Sequence, residues 1–529
     1  MVGERASTGR DEQGHERRRI TPRRGNGDHR LSEVTFGAAI KRTAPRFDRR
    51  SSVRETLMPT WLLVLLIMGV NLTLWGTLGI FRLGDDAILR LRYARAARRQ
   101  AAALPGPRPS RLPARDGGIT AEDIAILVPA HNEAAVIAAA LESLLKHFPA
   151  RNIHVVSDAS TDETEQIARS YGASVVPTGA SKGKAGALDF GIRHFGLIER
   201  FAAVMIIDAD TRLTEGYLDA ALPLLEDPKV AVVAGCAQTD WETTRWLSPG
   251  RIVVAHRSRL YAVVQRFVKF GQAGRFVNAV QIVPGFASIY RTRALRHIKV
   301  NPPGVAIEDF HMTFEIYRQR LGRVGFSTKA VARTQDPDSL HDYVKQTKRW
   351  SLGFWQTVRY YRGRPDVFAW GIALLIVELV VSSVVMLATG LGALVLLAAE
   401  AMPFLDVYTP FFDVHSWVVA RFSLTVFFFG IVLPDLIITV VVAAIERRAA
   451  YLLYAVFYLP MRMIDSAVIL WALGAAWLTS SSGVWKSPTR RASPATSPPP
   501  AAPVALPQAR RPPVPARPLE VAEAESSRR

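Results

Sequence analysis

The chain has 529 residues, enough for two or more domains, and its hydrophobic content of 49% with a mean hydropathy of +0.12 is high for a soluble protein. The formal charge is +20, gathered in the N-terminal tail and beside apolar segments, which favours an anionic membrane surface over nucleic acid. No basic-aromatic array suited to single strands is present, and Cys236 is the only cysteine, which excludes an internal disulfide and a cysteine metal cluster.

Residues 1–56 are rich in Arg, Gly and Asp and poor in aromatics, the composition of a disordered basic tail. The first apolar run comes too late for a signal peptide. Residues 57–81 carry no charge between Leu57 and Phe81 and are long enough to span a bilayer. Residues 82–118 then give a basic helix from Arg82 to Arg99, expected at the membrane interface, and a Pro/Gly/Arg linker.

Residues 119–365 alternate between two periodicities. Strands are expected at Ile124–Val128, Ile153–Ser157, Ser174–Pro177 and Ala203–Ile207, with helices at Ala134–His147, Asp162–Tyr171 and Lys184–Phe195 between them. Such alternation implies βαβ units and a mostly parallel sheet in an α/β domain.

Three apolar stretches follow within residues 366–480: Phe368–Ala399, Trp417–Ile445 and Tyr451–Leu478. Loop 400–416 has no Lys or Arg, whereas Arg447 and Arg448 lie in the next loop, and Lys348, Arg349, Arg359, Arg362 and Arg364 precede the first stretch. The positive-inside rule therefore puts the α/β domain in the cytoplasm, with loop 400–416 and the C-terminus outside. Six Lys/Arg lie within twenty residues on either side of the N-terminal span, so that span has no orientation signal. Asp435 and Asp465 fall inside apolar stretches, either lining a polar path or making helix–helix hydrogen bonds. The tail at 481–529 is Pro-, Ala- and Arg-rich and is expected to be disordered.

The chemistry centres on VMIIDADTRL, residues 204–213. A strand buried on both faces ends in Asp208 and Asp210, which an extended backbone points the same way, into the crevice beyond the strand ends. Paired carboxylates suit Mg²⁺ or Mn²⁺ held together with substrate phosphates; an Asp-rich turn is the plainer reading. Around the pair stand VPAHNE (128–133), VVSDASTDET (155–164), SKGKAGALDFGI (181–192), VPGFASIYR (283–291), IED (307–309) and QTKRW (346–350). Taken singly, each also reads as a helix cap, a solvated loop or an amphipathic face.

In this order and spacing the motifs resemble the family 2 glycosyltransferases, and more narrowly their membrane-embedded processive members, the cellulose, hyaluronan and poly-N-acetylglucosamine synthases. The resemblance implies a GT-A-like domain flanked by about one N-terminal and three C-terminal transmembrane helices. It implies that Pro129, Asn132, Glu133 and Asp158 frame the nucleotide, with Lys184 near the uracil or phosphates. Asp208 would meet the ribose or the metal, Asp210 would ligate the metal, and Asp309 would be the general base. Gln346 and Arg349, beside Glu308, would meet the diphosphate, and Trp350 the acceptor sugar. Ser157-Asp158 and Asp189 depart from the adjacent aspartates and the Asn common in the family.

The expected reaction is inverting transfer from a UDP-sugar to a β-linked polysaccharide, poly-N-acetylglucosamine-like before cellulose-like, exported through the chain's own helices or with an accessory protein, at the plasma membrane. A lipid acceptor, a β-glycosyl diacylglycerol or polyprenyl phosphate, is the alternative. A nucleotide-binding scaffold or transporter and a nucleotidyltransferase are the rivals from other classes.

Overall fold

The computed structural model describes residues 69–103, 118–241, 248–361, 363–420 and 423–479. The expectations for the tail at 1–56, the first part of the N-terminal span, most of the linker and the C-terminal tail lie outside the described residues.

Helix α1 (Val70–Ala103) runs unbroken through the expected boundary at residue 82. Arg82 lies against the α/β domain, donating to the carbonyls of Phe270 (2.6 Å) and Phe326 (2.8 Å) with its guanidinium over the Phe270 ring. Gly271 admits this contact: a Cβ there would stand 1.8 Å from the Trp75 carbonyl oxygen.

The domain follows as β1 (Ile124–Ala130), α2 (Ile137–Leu145), β2 (Ile153–Ser157), α3 (Thr164–Ser170), β3 (Ser174–Pro177), α4 (Gly183–His194) and β4 (Ala203–Ile207). Then come β5 (Arg212–Leu213), α5 (Tyr217–Leu225), β6 (Val230–Thr239), α6 (Pro249–Val263), β7 (Ala287–Arg291), α7 (Glu308–Arg318), β8 (Arg323–Thr334) and α8 (Leu340–Tyr360). The strands form one sheet in the order β3-β2-β1-β4-β7-β6-β8-β5. β1 pairs in parallel with β2 and β4, and β2 with β3, as the βαβ pattern requires. Beyond β4 the sheet is mixed: β7 runs antiparallel to β4 and β6, β6 parallel to β8, and β5 antiparallel to β8. Every residue of β1, β2 and β4 is buried, which accounts for their uninterrupted apolar sequences. One apolar layer lies on each face of the sheet.

Among the described residues, three helices are long and apolar enough to cross a membrane: α9 (Val367–Ala401), α11 (Leu424–Ile445) and α12 (Ala455–Leu478). Between α9 and α11 the loop expected at 400–416 is largely helical, with a short 3₁₀ turn and α10 (Thr409–Val419). Asp435 and Asp465 have partners in the α/β domain, whereas Glu378, in the first apolar stretch, accepts from the Asn71 amide and side chain of α1. Asp435 takes Arg259 and Arg462, each at 2.8 Å, while Asp465 accepts from the Tyr343 hydroxyl at 2.5 Å and faces His256 Nε2 at 2.9 Å. The interhelical hydrogen-bond reading of these residues is the one the structure shows. α8 lies along α12 from Tyr343–Asp465 to Arg359, which donates to the Ala476 carbonyl.

Candidate active site

One flank of the site is made where β1 and β2 end. Asn132 sits at φ +56 and accepts from the Thr161 amide at 2.8 Å, tying the two strand-end loops together. Glu133 is buried, its amide donating to the Thr164 hydroxyl, and Pro129 pairs opposite Val156 within the sheet. Asp158 is fully buried. Its carboxylate accepts from the Thr178 and Ser181 hydroxyls and from the Lys182 and Gly183 amides, all between 2.8 and 3.0 Å. Four donors from its own chain occupy that carboxylate, so Asp158 shapes the Ser181–Lys184 loop that opens α4.

That loop delivers Lys184 to the centre. Its Nζ lies 2.8 Å from Asp208 and 3.1 Å from Glu308. Burial acts to lower the ammonium pKa, but Asp208, Glu308 and Asp309 outweigh it and hold the group charged, well above the usual lysine range. Asp208 ends β4 in a turn closed by the Thr211 amide on its carbonyl, and its own amide donates to Phe286. Burial, reinforced by Asp210, raises its carboxyl despite Lys184. Asp210, two residues on, is nearly buried and acts electrostatically on Asp336 and Tyr261.

The acidic pair Glu308-Asp309 opens α7. Burial pushes Glu308 up, but Lys184, the residue's own backbone amide and Arg349 prevail and keep its carboxyl below the usual range. Asp309 goes the other way: burial, then the charge of Glu308, raise it to about 7 against the opposing pull of Lys184 and the Gly285 amide. Its Oδ1 has no hydrogen-bond partner. Gly285, in the VPGFASIYR segment, makes the room: a Cβ there would lie 2.3 Å from that oxygen. Two adjacent carboxyls are thus split into a charged one and one poised to take a proton near neutrality.

The QTKRW segment lies on α8. Gln346 accepts from Arg257 at 3.1 Å, and the Trp350 ring centroid is 4.5 Å from the Arg257 guanidinium. Arg349 is exposed and acts on Glu308 from outside. Arg257, on α6, is a residue the sequence motifs do not include. It is 2% exposed, also stacks on Tyr343 at 4.6 Å, and has its nearest carboxylate, Asp336, at 3.9 Å. The run HRSRLY gives its only sequence signal, charge where α6 enters the core.

Lys184, Asp208, Glu308 and Asp309 therefore converge as one cluster, Asp210 and the Asn132–Asp158 loops flank it, and Gln346 and Trp350 meet at Arg257. Asp208 and Asp210 offer hard oxygens at a place where like charge already strains them, which fits a divalent cation shared with a diphosphate. Among the described residues no three His, Cys, Asp or Glu side chains group as a metal site of their own.

Residues 121–353, which hold the whole cluster, match the family model described as "Glycosyltransferase like family 2". The chain is 22% identical over 245 residues to "Probable glycosyltransferase YdaM" of Bacillus subtilis (strain 168), covering 44% of this chain and 54% of that protein. It is 24% identical over 242 residues to "Uncharacterized glycosyltransferase YaiP" of Escherichia coli (strain K12), covering 45% and 58%. The chain thus spans about half the length of these curated relatives. Among solved structures, a mannosyltransferase from Pyrobaculum calidifontis in complex with GDP-Man and Mn2+ is 16% identical, covering 75% of this chain and 99% of that one, with a TM-score of 0.39.

Proposed function

We propose that the protein is an inverting, metal-dependent membrane glycosyltransferase that moves a sugar from a UDP-sugar onto a β-linked polysaccharide, with its catalytic domain in the cytoplasm. The observation that carries the chemistry is Asp309, raised to about 7 beside a charged Lys184. A base of that strength removes a hydroxyl proton efficiently near neutral pH.

In this reading Asp309 takes the proton from the acceptor hydroxyl as its oxygen attacks the anomeric carbon. The bond from that carbon to the diphosphate breaks on the opposite face, so configuration inverts and the nucleoside diphosphate carries off the electron pair. Lys184 lies where it offsets negative charge, Arg349 supplies a planar guanidinium at the mouth, and Trp350 offers an indole face to the acceptor sugar. Asp208 and Asp210 would hold Mg²⁺ or Mn²⁺, which when bound supplies charge neutralisation at the leaving diphosphate. The three membrane-length helices and the docking of α8 on α12 support an acceptor site at the membrane face.

That same docking favours a second reading, transfer to a lipid hydroxyl or lipid phosphate presented at the membrane. Radiolabelled UDP-glucose, UDP-N-acetylglucosamine and UDP-glucuronate supplied to the purified protein in lipid separate the two. A ladder of polymer is expected, and a lipid-soluble product carrying a single sugar would refute processive synthesis. Release of a nucleoside diphosphate is expected; release of pyrophosphate would indicate a nucleotidyltransferase.

A further inference from the structure

Helix α7 has two working faces. Glu308 and Asp309 open it toward Lys184, and Met312 and Ile316 continue that side into the core. His311, Glu315 and Arg318, at helical spacing on the other side, line a separate cavity of about 670 Å³ closed by Gln356, Arg359 and Tyr361 of the α8 end and by Lys299. None of the catalytic or donor residues described above lines it.

The cavity presents polar groups that the protein itself leaves unused. Gln356 is 1% exposed, and its Oε1 accepts from the Ala306 amide at 3.0 Å while its Nε2 has no partner. His311 Nε2 and the Tyr361 hydroxyl are likewise buried without partners. Burial lowers the His311 pKa, which disfavours the charged ring. Glu315, the carboxylate among the lining residues, is already neutralised by the two-pronged contact with Arg318 at 2.7 and 2.6 Å and by Gln319. Lys299 and Arg359 stand exposed at the rim. Two rim cations over a floor where the Gln356 amide and the Tyr361 hydroxyl are unpaired donors, with the carboxylate silenced, match a compact anion that accepts several hydrogen bonds.

We propose that this cavity is a second ligand site, distinct from the donor crevice, that binds a phosphate group. It lies at the membrane border: Arg359 donates to the Ala476 carbonyl of α12, and α9 begins at Val367 just beyond Tyr361. The phosphate can therefore come from a lipid headgroup or from solution. Gln356 also fixes what an occupant would influence. It holds Ala306, and Gly353 one turn earlier packs against Ile307, so both hold the segment that runs directly into Glu308-Asp309.

The test is the unfolding midpoint of the full chain, titrated with inorganic phosphate in neutral detergent and, separately, with phosphatidylglycerol in phosphatidylcholine nanodiscs. Lys299→Glu reverses a rim charge at an exposed position that the fold does not need, Lys299→Arg is the conservative variant, and Lys229→Glu reverses an exposed lysine that does not line the cavity. Saturable stabilisation is expected, with half-saturation about tenfold or more weaker in Lys299→Glu, from the loss of one charge-assisted contact, and near normal in the other two. Saturation by inorganic phosphate supports a soluble source, and saturation only by the anionic lipid supports a headgroup. No saturable response, or the same response in Lys299→Glu and Lys229→Glu, overturns the site.

Discussion

Replacing Asp309 by Asn separates the two consequences of its environment. Its carboxyl is raised to about 7 by burial and by Glu308, and Lys184 is already shared with Asp208 and Glu308. A rise of about 3 pKa units is worth about 4 kcal/mol against the charged form. The carboxyl oxygen is buried, so most of that cost is realised in the fold. The sign follows from proton linkage: the folded protein holds this proton more tightly than the unfolded chain. Stability from the group is complete below the ordinary carboxylate range, declines as pH rises toward about 7, and is absent above it. Asp309→Asn should therefore unfold at a higher temperature than the parent at pH 8, by roughly 2–4 °C per kcal/mol, and at the same temperature at pH 4. Turnover should fall about 10²–10⁴-fold, the usual worth of a general base, with donor binding nearly intact. In the parent, kcat/KM should climb about tenfold per pH unit below 7 and level off above, and the variant should lack that limb. A variant less stable at pH 8, or one turning over within tenfold of the parent, would refute the assignment.

Lys184→Met should destabilise the fold toward the low end of about 3–5 kcal/mol, because Asp208 and Glu308 lose their shared cation where water has partial access; chemical denaturation measures it, and Asp208→Asn in the same chain should restore part. Arg257→Lys keeps the charge but loses the planar stack on Trp350 and Tyr343, so acceptor KM should rise about tenfold while donor KM holds; equal changes in both would assign Arg257 a purely structural role. Chelation with EDTA should abolish transfer, with recovery on adding Mn²⁺ or Mg²⁺; undiminished turnover after exhaustive chelation would remove the metal from the mechanism. His256→Ala leaves Asp465 its hydrogen bond from the Tyr343 hydroxyl but removes the imidazole contact, and should cost about 1–3 kcal/mol, read as an earlier melting transition in detergent.

Half of the sheet is written plainly in the sequence, for a reason visible in its burial. β1, β2 and β4 are covered on both faces, so each must be a continuous apolar run, and their expected bounds agree with the structure to within two residues. The other half is not plain. β5 has two residues, and β8, from Arg323 to Thr334, is interrupted by Arg323, Lys329 and Arg333 and meets that short edge strand only near its end. β7 enters antiparallel between β4 and β6, a pairing that no local periodicity encodes. Among the site residues, Asp208, Asp210 and the Glu308-Asp309 pair are legible because strand ends and helix starts display carboxylates in short motifs. Asp158 was legible as a position, but its four contacts to its own loop depend on a loop some twenty residues away.

Arg257 was hidden for a different reason, and the reason explains how the membrane helices and the site are joined. On α6 three charged or polar residues in close succession reach three different elements: His256 meets Asp465 on α12, Arg257 meets Gln346 and Trp350 on α8, and Arg259 meets Asp435 on α11. A helix turns about 100° per residue, so such a run can serve three neighbours only if the helix is surrounded. In the sequence that surround is invisible, and HRSR reads as a solvated basic face. A buried cation left without its partners costs several kcal/mol, so α6 cannot form this way unless α8, α11 and α12 are packed around it. Asp435 and Asp465 are then the counter-charges that let a basic helix be buried, and the QTKRW segment on α8 is held by the same helix that they anchor.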